Sequence, residues 1–308
     1  MIVCCGEALV DVLDGDERRS VPGGGPMNAA VAAARLGAPS AFVGRVSTDA
    51  GGELIWKHLQ RNQVNVRASE RGPEATARAI ISLTPNPSFR FEGSNTADTA
   101  LGSADLAALG PGPHIVHGGT LGMFRGRTAD VLASLAERHD GLVSLDPNVR
   151  PAIIEDRDRW HRFHERWLGV CDLYRASDED LEWIWPGRAA EDCAAELLAG
   201  RIATVIITRG GHGVTVYTAE GQLEVAAPQV DVVDTVGAGD AFVGAVLASL
   251  WERLGADRTA FAALDLRQWR AIAERAAVAA ALTCTRAGAD PPDARDLDLA
   301  LKEYEGGA

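Results

Sequence analysis

Cysteine is scarce in this 308-residue chain, and its five copies, Cys4, Cys5, Cys171, Cys193 and Cys284, are scattered without a C-x-x-C spacing. An odd, dispersed set excludes a disulfide framework and fits reduced thiols in a cytosol, so a cytoplasmic protein is expected. Basic charge is also short: 30 Lys and Arg stand against 43 Asp and Glu, a net charge of -13. Such a chain repels nucleic acid and anionic membranes, so neither is an expected partner. Any phosphate it binds must be held by local backbone donors and cations. The apolar runs fall far short of the ~20 residues of a membrane span. No basic segment followed by an apolar stretch opens the chain, so no signal peptide is expected. Histidine offers little metal signal. His161 and His164 lie three apart among charged residues, which reads as an exposed helix face rather than a zinc pair. His117 either faces a ligand or packs in the core. No internal repeat or low-complexity segment occurs. With 46% hydrophobic residues over this length, one large domain with an insertion is expected rather than two equal domains.

Against these absences stands one dense motif, Asp234-Thr235-Val236-Gly237-Ala238-Gly239-Asp240. The β-branched run Val230-Asp231-Val232-Val233 before it reads as a strand, and the apolar run 241–251 after it reads as a helix stopping at Gly255. Glycines between a strand and a helix offer free N–H groups and the positive end of the helix dipole to an anion. Gly237 and Gly239 let a phosphate approach the backbone. A carboxylate at Asp240 would repel that phosphate, yet it suits a base that takes a proton from an attacking hydroxyl. The alternative is a tight turn with Asp240 as helix cap. No Gly-Lys-Ser/Thr follows, so the motif is not a Walker A loop, and it lacks the dinucleotide G-x-G-x-x-G.

A second glycine motif, Gly23-Gly24-Gly25-Pro26-Met27-Asn28, opens an Ala-rich helix that stops at Gly37. Asn28 carries a donor and an acceptor, which suits sugar hydroxyls, or else it caps the helix. Between the two motifs, strand candidates at 2–5, 40–46, 113–117, 141–145, 170–174 and 203–208 alternate with helix candidates near 27–36, 51–61, 127–139, 155–168, 178–185 and 189–199. This pattern predicts an α/β fold with a mostly parallel central sheet flanked by helices on both faces. Residues 11–21 and 64–92 break the alternation. In the second, Ala77–Leu83 and Ser88–Phe91, joined by Pro-Asn-Pro, read as an inserted β-hairpin.

Together the two motifs resemble those of the ribokinase-like, PfkB-type carbohydrate kinases. Further blocks match in order: Gly6–Asp11, Val43–Gly52, Asp146-Pro147-Asn148-Val149-Arg150, the loop Thr208–Gly213, and Leu282–Pro292. The resemblance spans nearly the whole chain and implies the ribokinase-like three-layer fold. A large domain would comprise 1–10, 22–63 and 93–308, and a β-sheet lid 11–21 and 64–92. It implies transfer of the γ-phosphoryl group of ATP to a sugar. Asp240 would be the base, and the N–H groups of Gly237, Ala238, Gly239 and Asp240 the anion hole. Asp11, Gly23, Gly24 and Asn28 would hold the sugar, and Ser177, Thr208, Gly210, Gly213 and Gly237 the nucleotide. The exposed edge of such a lid suggests a homodimer formed through it.

A divalent ion such as Mg2+ must spread the triphosphate charge. The family's Asn-x-x-Glu motif for that ion is replaced here by Ser177-Asp178-Glu179-Asp180, so Asp180 would act through water, or the segment is only a capped helix start. Potassium bound by Asp234, Val236, Thr283, Arg286 and Gly288 is implied by resemblance alone. Pro26, the Asp-Pro-Asn-x-Arg block and the ending Arg286–Pro292 are most similar to bacterial fructokinases. The alternative substrate, 2-keto-3-deoxygluconate, carries a carboxylate that needs an extra cation, which Arg90 and Arg125 could supply. A sugar-sensing relative without catalysis is the reading from another class.

Overall fold

The computed structural model describes residues 1–14, 19–82 and 88–306. In chain order its strands are β1 (Ile2–Cys5), β2 (Leu9–Asp14), β3 (Arg19–Gly23), β4 (Ser40–Val43), β5 (Arg45–Ser47), β6 (Glu70–Gly72), β7 (Arg78–Ser82), β8 (Ser88–Glu92), β9 (Ile115–Gly119), β10 (Leu142–Asp146), β11 (Leu173–Ser177), β12 (Thr204–Thr208), β13 (Val214–Thr218) and β14 (Gly221–Val225). The α-helices are α1 (Gly25–Arg35), α2 (Ala50–Arg61), α3 (Gly126–Glu137), α4 (Arg157–Leu168), α5 (Asp178–Ile184), α6 (Ala190–Leu198), α7 (Ala238–Leu254), α8 (Arg258–Ala262), α9 (Leu266–Cys284) and α10 (Ala294–Gly306).

The large sheet runs β14-β13-β12-β11-β10-β9-β1-β4. Neighbours from β4 to β12 are parallel, and β13 and β14 close the edge as an antiparallel hairpin. Period-two alternation gives the sheet two buried faces. Ile2 and Cys4 join the core under α1, α7 and α9, whereas Val3 and Cys5 join the core under α3, α4 and α6. The expected mostly parallel α/β frame is the fold observed.

The small sheet runs β3-β2-β7-β8. It too alternates: Leu9, Asp11, Ala79 and Phe91 turn to a cavity, while Val10, Val12 and Ile80 join the core that includes Ile55 and Leu59 of α2. Its strands come from 9–23 and 78–92. Most of 64–77 pairs elsewhere: Asn65 bridges Ala41 of β4, and β6 pairs with β5 in a separate two-stranded sheet, while Ala77 accepts from Val10 N of β2. The loop carrying Pro-Asn-Pro lies outside the described residues, as do 15–18.

Two local expectations are corrected. Val230–Val233 is not a strand. Val232 and Val233 are 62% and 65% exposed, and the amides of Val233 and Asp234 donate to the Cys284 carbonyl instead of to a neighbouring strand. β-Branched residues favour strands only where a pleated surface packs them. His164 is buried rather than exposed. It stacks on Trp160 with ring centroids 4.7 Å apart and meets the Tyr174 hydroxyl at 3.1 Å. Trp160, Phe163, His164 and Trp167 form the apolar stripe of α4. Burial pushes His164 and His117 down to about 3, so both stay neutral in the core. His117 bonds Ser144 at 3.1 Å, which is the core alternative.

Candidate active site

A cavity of about 800 Å³ opens beyond the carboxyl ends of β1, β9, β10, β11 and β12, where ligands of open α/β sheets gather. The small sheet walls one end of it. Asp240 lies in the first turn of α7, three residues after Gly237. Gly237 has φ 78°, and a Cβ there would lie 2.5 Å from the Ala289 Cβ, so the turn requires glycine. Ala238 donates to the Thr235 carbonyl at 3.3 Å, while the N–H groups of Gly239 and Asp240 belong to the first helical turn, which lacks intrahelical acceptors.

The two glycine motifs meet at this point. Asn28 Nδ2 donates to Asp240 Oδ2 at 2.8 Å. Asn28 is not a cap; the cap position of α1 belongs to Gly24. Burial raises the pKa of Asp240 above the ordinary carboxylate value, and the Asn28 bond and the charges of Arg150 and Arg175 oppose that rise. Asp11, on β2, is pushed up to about 6 by burial and by the charge of Asp240, with Arg150 opposing. Gly23 makes room for it: a Cβ there would lie 2.2 Å from Asp11 Oδ2. Glu7 ties the glycine loop down. Its buried carboxyl accepts from Gly25 N at 3.2 Å and Gly122 N at 2.8 Å, and burial pushes it up to about 8.

Several cavity residues escaped the sequence reading. Gly25, Thr120 and Asn148 form a polar floor, with Asn148 Nδ2 donating to Thr120 Oγ1 at 3.1 Å. Thr120 and Asn148 have φ of 47° and 38°, left-handed values that cost about 1–3 kcal/mol and gather at functional sites. Phe91 and Leu121 add apolar wall at the same end. Arg175 on β11 donates to Asp146 Oδ2 at 2.8 Å and to Thr208 Oγ1 at 2.6 Å. Positive φ at loop positions and charged residues on buried strands are the signals that point to them.

Toward the other end lie Thr208, Gly210 and Gly213, with Val230, Val232, Ala277 and Ala280 making an apolar slot. Ser177 and Asp180 form a reciprocal capping box on α5, and Asp180 Oδ1 also accepts from Val149 N at 2.7 Å. Both Asp180 oxygens thus already hold protein donors, and among the described residues no acidic cluster could hold a metal unaided. Such a donor set fits an ion carried mainly by phosphate oxygens and water. Behind the α7 turn, Asp234 accepts from Gly288 N at 2.8 Å and Val236 N at 3.0 Å, and Arg286 N donates to Thr283 O at 3.1 Å. The Asp234 carboxylate thus ties Val236 to Gly288, and Thr283 is tied separately to Arg286.

The fold and this cavity define a kinase-like small-molecule site, and comparison with known proteins agrees. The model of the pfkB family of carbohydrate kinases matches residues 1–295. The chain belongs to that family. It is 34% identical over 259 residues to a fructokinase of Rhizobium leguminosarum bv. trifolii, covering 81% of this chain and 79% of the relative. The solved fructokinase of Xylella fastidiosa with bound ATP superposes with a TM-score of 0.91 at 28% identity, covering 99% and 98% of the two chains. A variant fructokinase of Vibrio cholerae O395 bound to fructose, ADP and potassium ion superposes with a TM-score of 0.84 at 26% identity, covering 97% of each.

Proposed function

We propose that this chain transfers the γ-phosphoryl group of ATP to a hydroxyl of D-fructose, giving fructose phosphate and ADP. The observation that carries the reading is the Asp240 carboxylate, held by Asn28 at the mouth of an anion-binding helix turn and facing the cavity that Asp11 also lines. Asp11 and Asn28 with the glycine loop bind the sugar. Asp240 takes the hydroxyl proton as the oxygen attacks, and the N–H groups of the Gly237–Asp240 turn meet the charge on the phosphoryl oxygens. The slot beside Gly210, Gly213, Val230 and Ala277 takes the nucleotide. Magnesium, met by Asp180 through water, would neutralise triphosphate charge, and potassium beside Asp234 and Gly288 would steady the turn. We place the enzyme in the cytoplasm, acting as a homodimer through the small sheet. Among the described residues no helix is long and apolar enough to cross a membrane.

The two cations that could have met the carboxylate of the alternative substrate lie elsewhere. Arg125 is engaged by the buried Asp98 at 2.6 Å and by the Gly93 carbonyl, and Arg90 pairs with Glu92 at 68% exposure. Neither lines the cavity. A panel of fructose, ribose, adenosine and 2-keto-3-deoxygluconate, scored by ADP release, tests the reading. Fructose should give the highest kcat/KM; activity on 2-keto-3-deoxygluconate with none on fructose would reverse the choice.

A further inference from the structure

We infer that Arg175 is a further phosphoryl-binding residue of this site, acting beside the Gly237–Asp240 turn. The inference rests on the reading of that turn as the anion hole. Arg175 is 8% exposed, yet it lines the cavity. A Cβ built on Gly239 would lie 3.2 Å from Arg175 Nη2 and 3.4 Å from Nη1, so the guanidinium stands against the middle of the turn. In a chain of net charge -13, it is a buried cation placed where phosphate oxygens would arrive.

Its bonding is not that of a closed ion pair. A guanidinium that serves only its carboxylate meets it with two parallel bonds. Here Nη1 alone reaches Asp146 Oδ2, while Nη2 turns to Thr208 Oγ1, and Asp146 Oδ1 is taken by Asn148 N at 3.1 Å. Arg175 Nε is buried and has no acceptor among the described residues. A guanidinium carries five N–H donors and cannot be deprotonated, so donor capacity and charge remain for an oxyanion. Asp146 and Thr208 fix the plane from two strands, which leaves the group no freedom to reorganise during the reaction. Fixed charge of this kind acts on the phosphoryl oxygens while the phosphorus breaks its bond to the ADP oxygen and bonds to the sugar oxygen. Fructose, bound at the Asp11 end, would not sense it.

Removing Arg175 alone would strand Asp146, so the test compares Asp146→Asn with the double variant Asp146→Asn/Arg175→Gln, in which both groups are neutral. Steady-state kinetics with fructose and ATP should show kcat of the double variant 10- to 100-fold below that of Asp146→Asn. The fructose KM should agree within threefold, and the melting temperatures should be similar. Arg175→Lys, which keeps the charge for Asp146 but cannot span to the turn, should lose at least fivefold in kcat. A double variant that matches Asp146→Asn in kcat, or a lysine variant with wild-type kcat, overturns the inference. Asp240→Asn in the same assay tests the reading of the site separately: turnover should fall by about 10²–10⁴, and near-normal turnover would reject Asp240 as the base whatever Arg175 does.

Discussion

At the scale of single residues, the chemistry hangs on carboxylates held away from water. Asp11 shows the sign of the effect. Its pKa of about 6 in the fold lies above the ordinary value, so the folded protein holds the proton more tightly than the unfolded chain. Stability from this group is present below pH ~4 and is lost as pH rises through about 6. Under the role proposed for Asp11, function would run the other way, because only the ionised form accepts from two sugar hydroxyls. We expect kcat/KM for fructose to fall as pH drops through about 6. Charge-assisted hydrogen bonds are worth about 1.5–3 kcal/mol each, so Asp11→Ala should weaken sugar binding by roughly 10- to 100-fold and leave ATP binding nearly unchanged. Calorimetric titration of each ligand checks this, and an equal loss for both would make Asp11 structural. Asn28 and Asp240 were legible because each belongs to a glycine motif whose spacing has a physical purpose, and Asp11 because it lies just beyond the first core strand in a block that resembles the family's. Thr120 and Arg175 were not, and Asn148 was legible only as part of the Asp146–Arg150 block. Thr120 and Asn148 follow β9 and β10 and Arg175 lies on β11, and only the parallel sheet brings them together.

At the scale of elements, hydrophobic periodicity located the parallel strands and their helices, because that pattern is local. It failed where neighbours decide. Val230–Val233 has strand composition but no strand beside it, and α4 hides His164 in a stripe that its charged residues mask. The β13–β14 hairpin escaped because Ala219 and Glu220 form a turn inside what reads as one loop-rich stretch. The start of α7 is the element most exposed to a backbone test. Alanine at Gly237 would have to adopt φ 78°, at about 1–2 kcal/mol, and push against Ala289. Gly237→Ala should therefore lower the melting temperature by several degrees. It should also reduce kcat at least tenfold, since the turn that aims the N–H groups must shift. Wild-type kcat in that variant would show that the geometry of the turn is not needed for turnover.

At the scale of the whole molecule, the small sheet ends on two edge strands within one chain. Its outer strands are β3 and β8, and on β3 the residues Arg19, Ser20 and Val21 are exposed. Val21 is a β-branched residue 36% exposed on a sheet edge. Edge strands of this kind are either guarded or paired. The same sheet carries Leu9, Asp11, Ala79 and Phe91 on its cavity face, so its position sets the shape of the sugar end. Among the described residues it is anchored to the large domain by Val10, Val12 and Ile80 on its opposite face, and by Arg125 gripping Gly93 just beyond β8. Pairing two such sheets would cover both edges and hold both sugar sites in shape, using an interface of about 800 Å² per partner. Sedimentation equilibrium at assay concentration should then give twice the 32.5 kDa chain mass. Val21→Asp, which puts a charge on the edge, should shift the population toward monomer and raise the fructose KM more than the ATP KM. A wild-type chain that sediments as a 32.5 kDa monomer while fully active would remove the dimer from the account. It would leave the sugar site to be completed by one sheet alone.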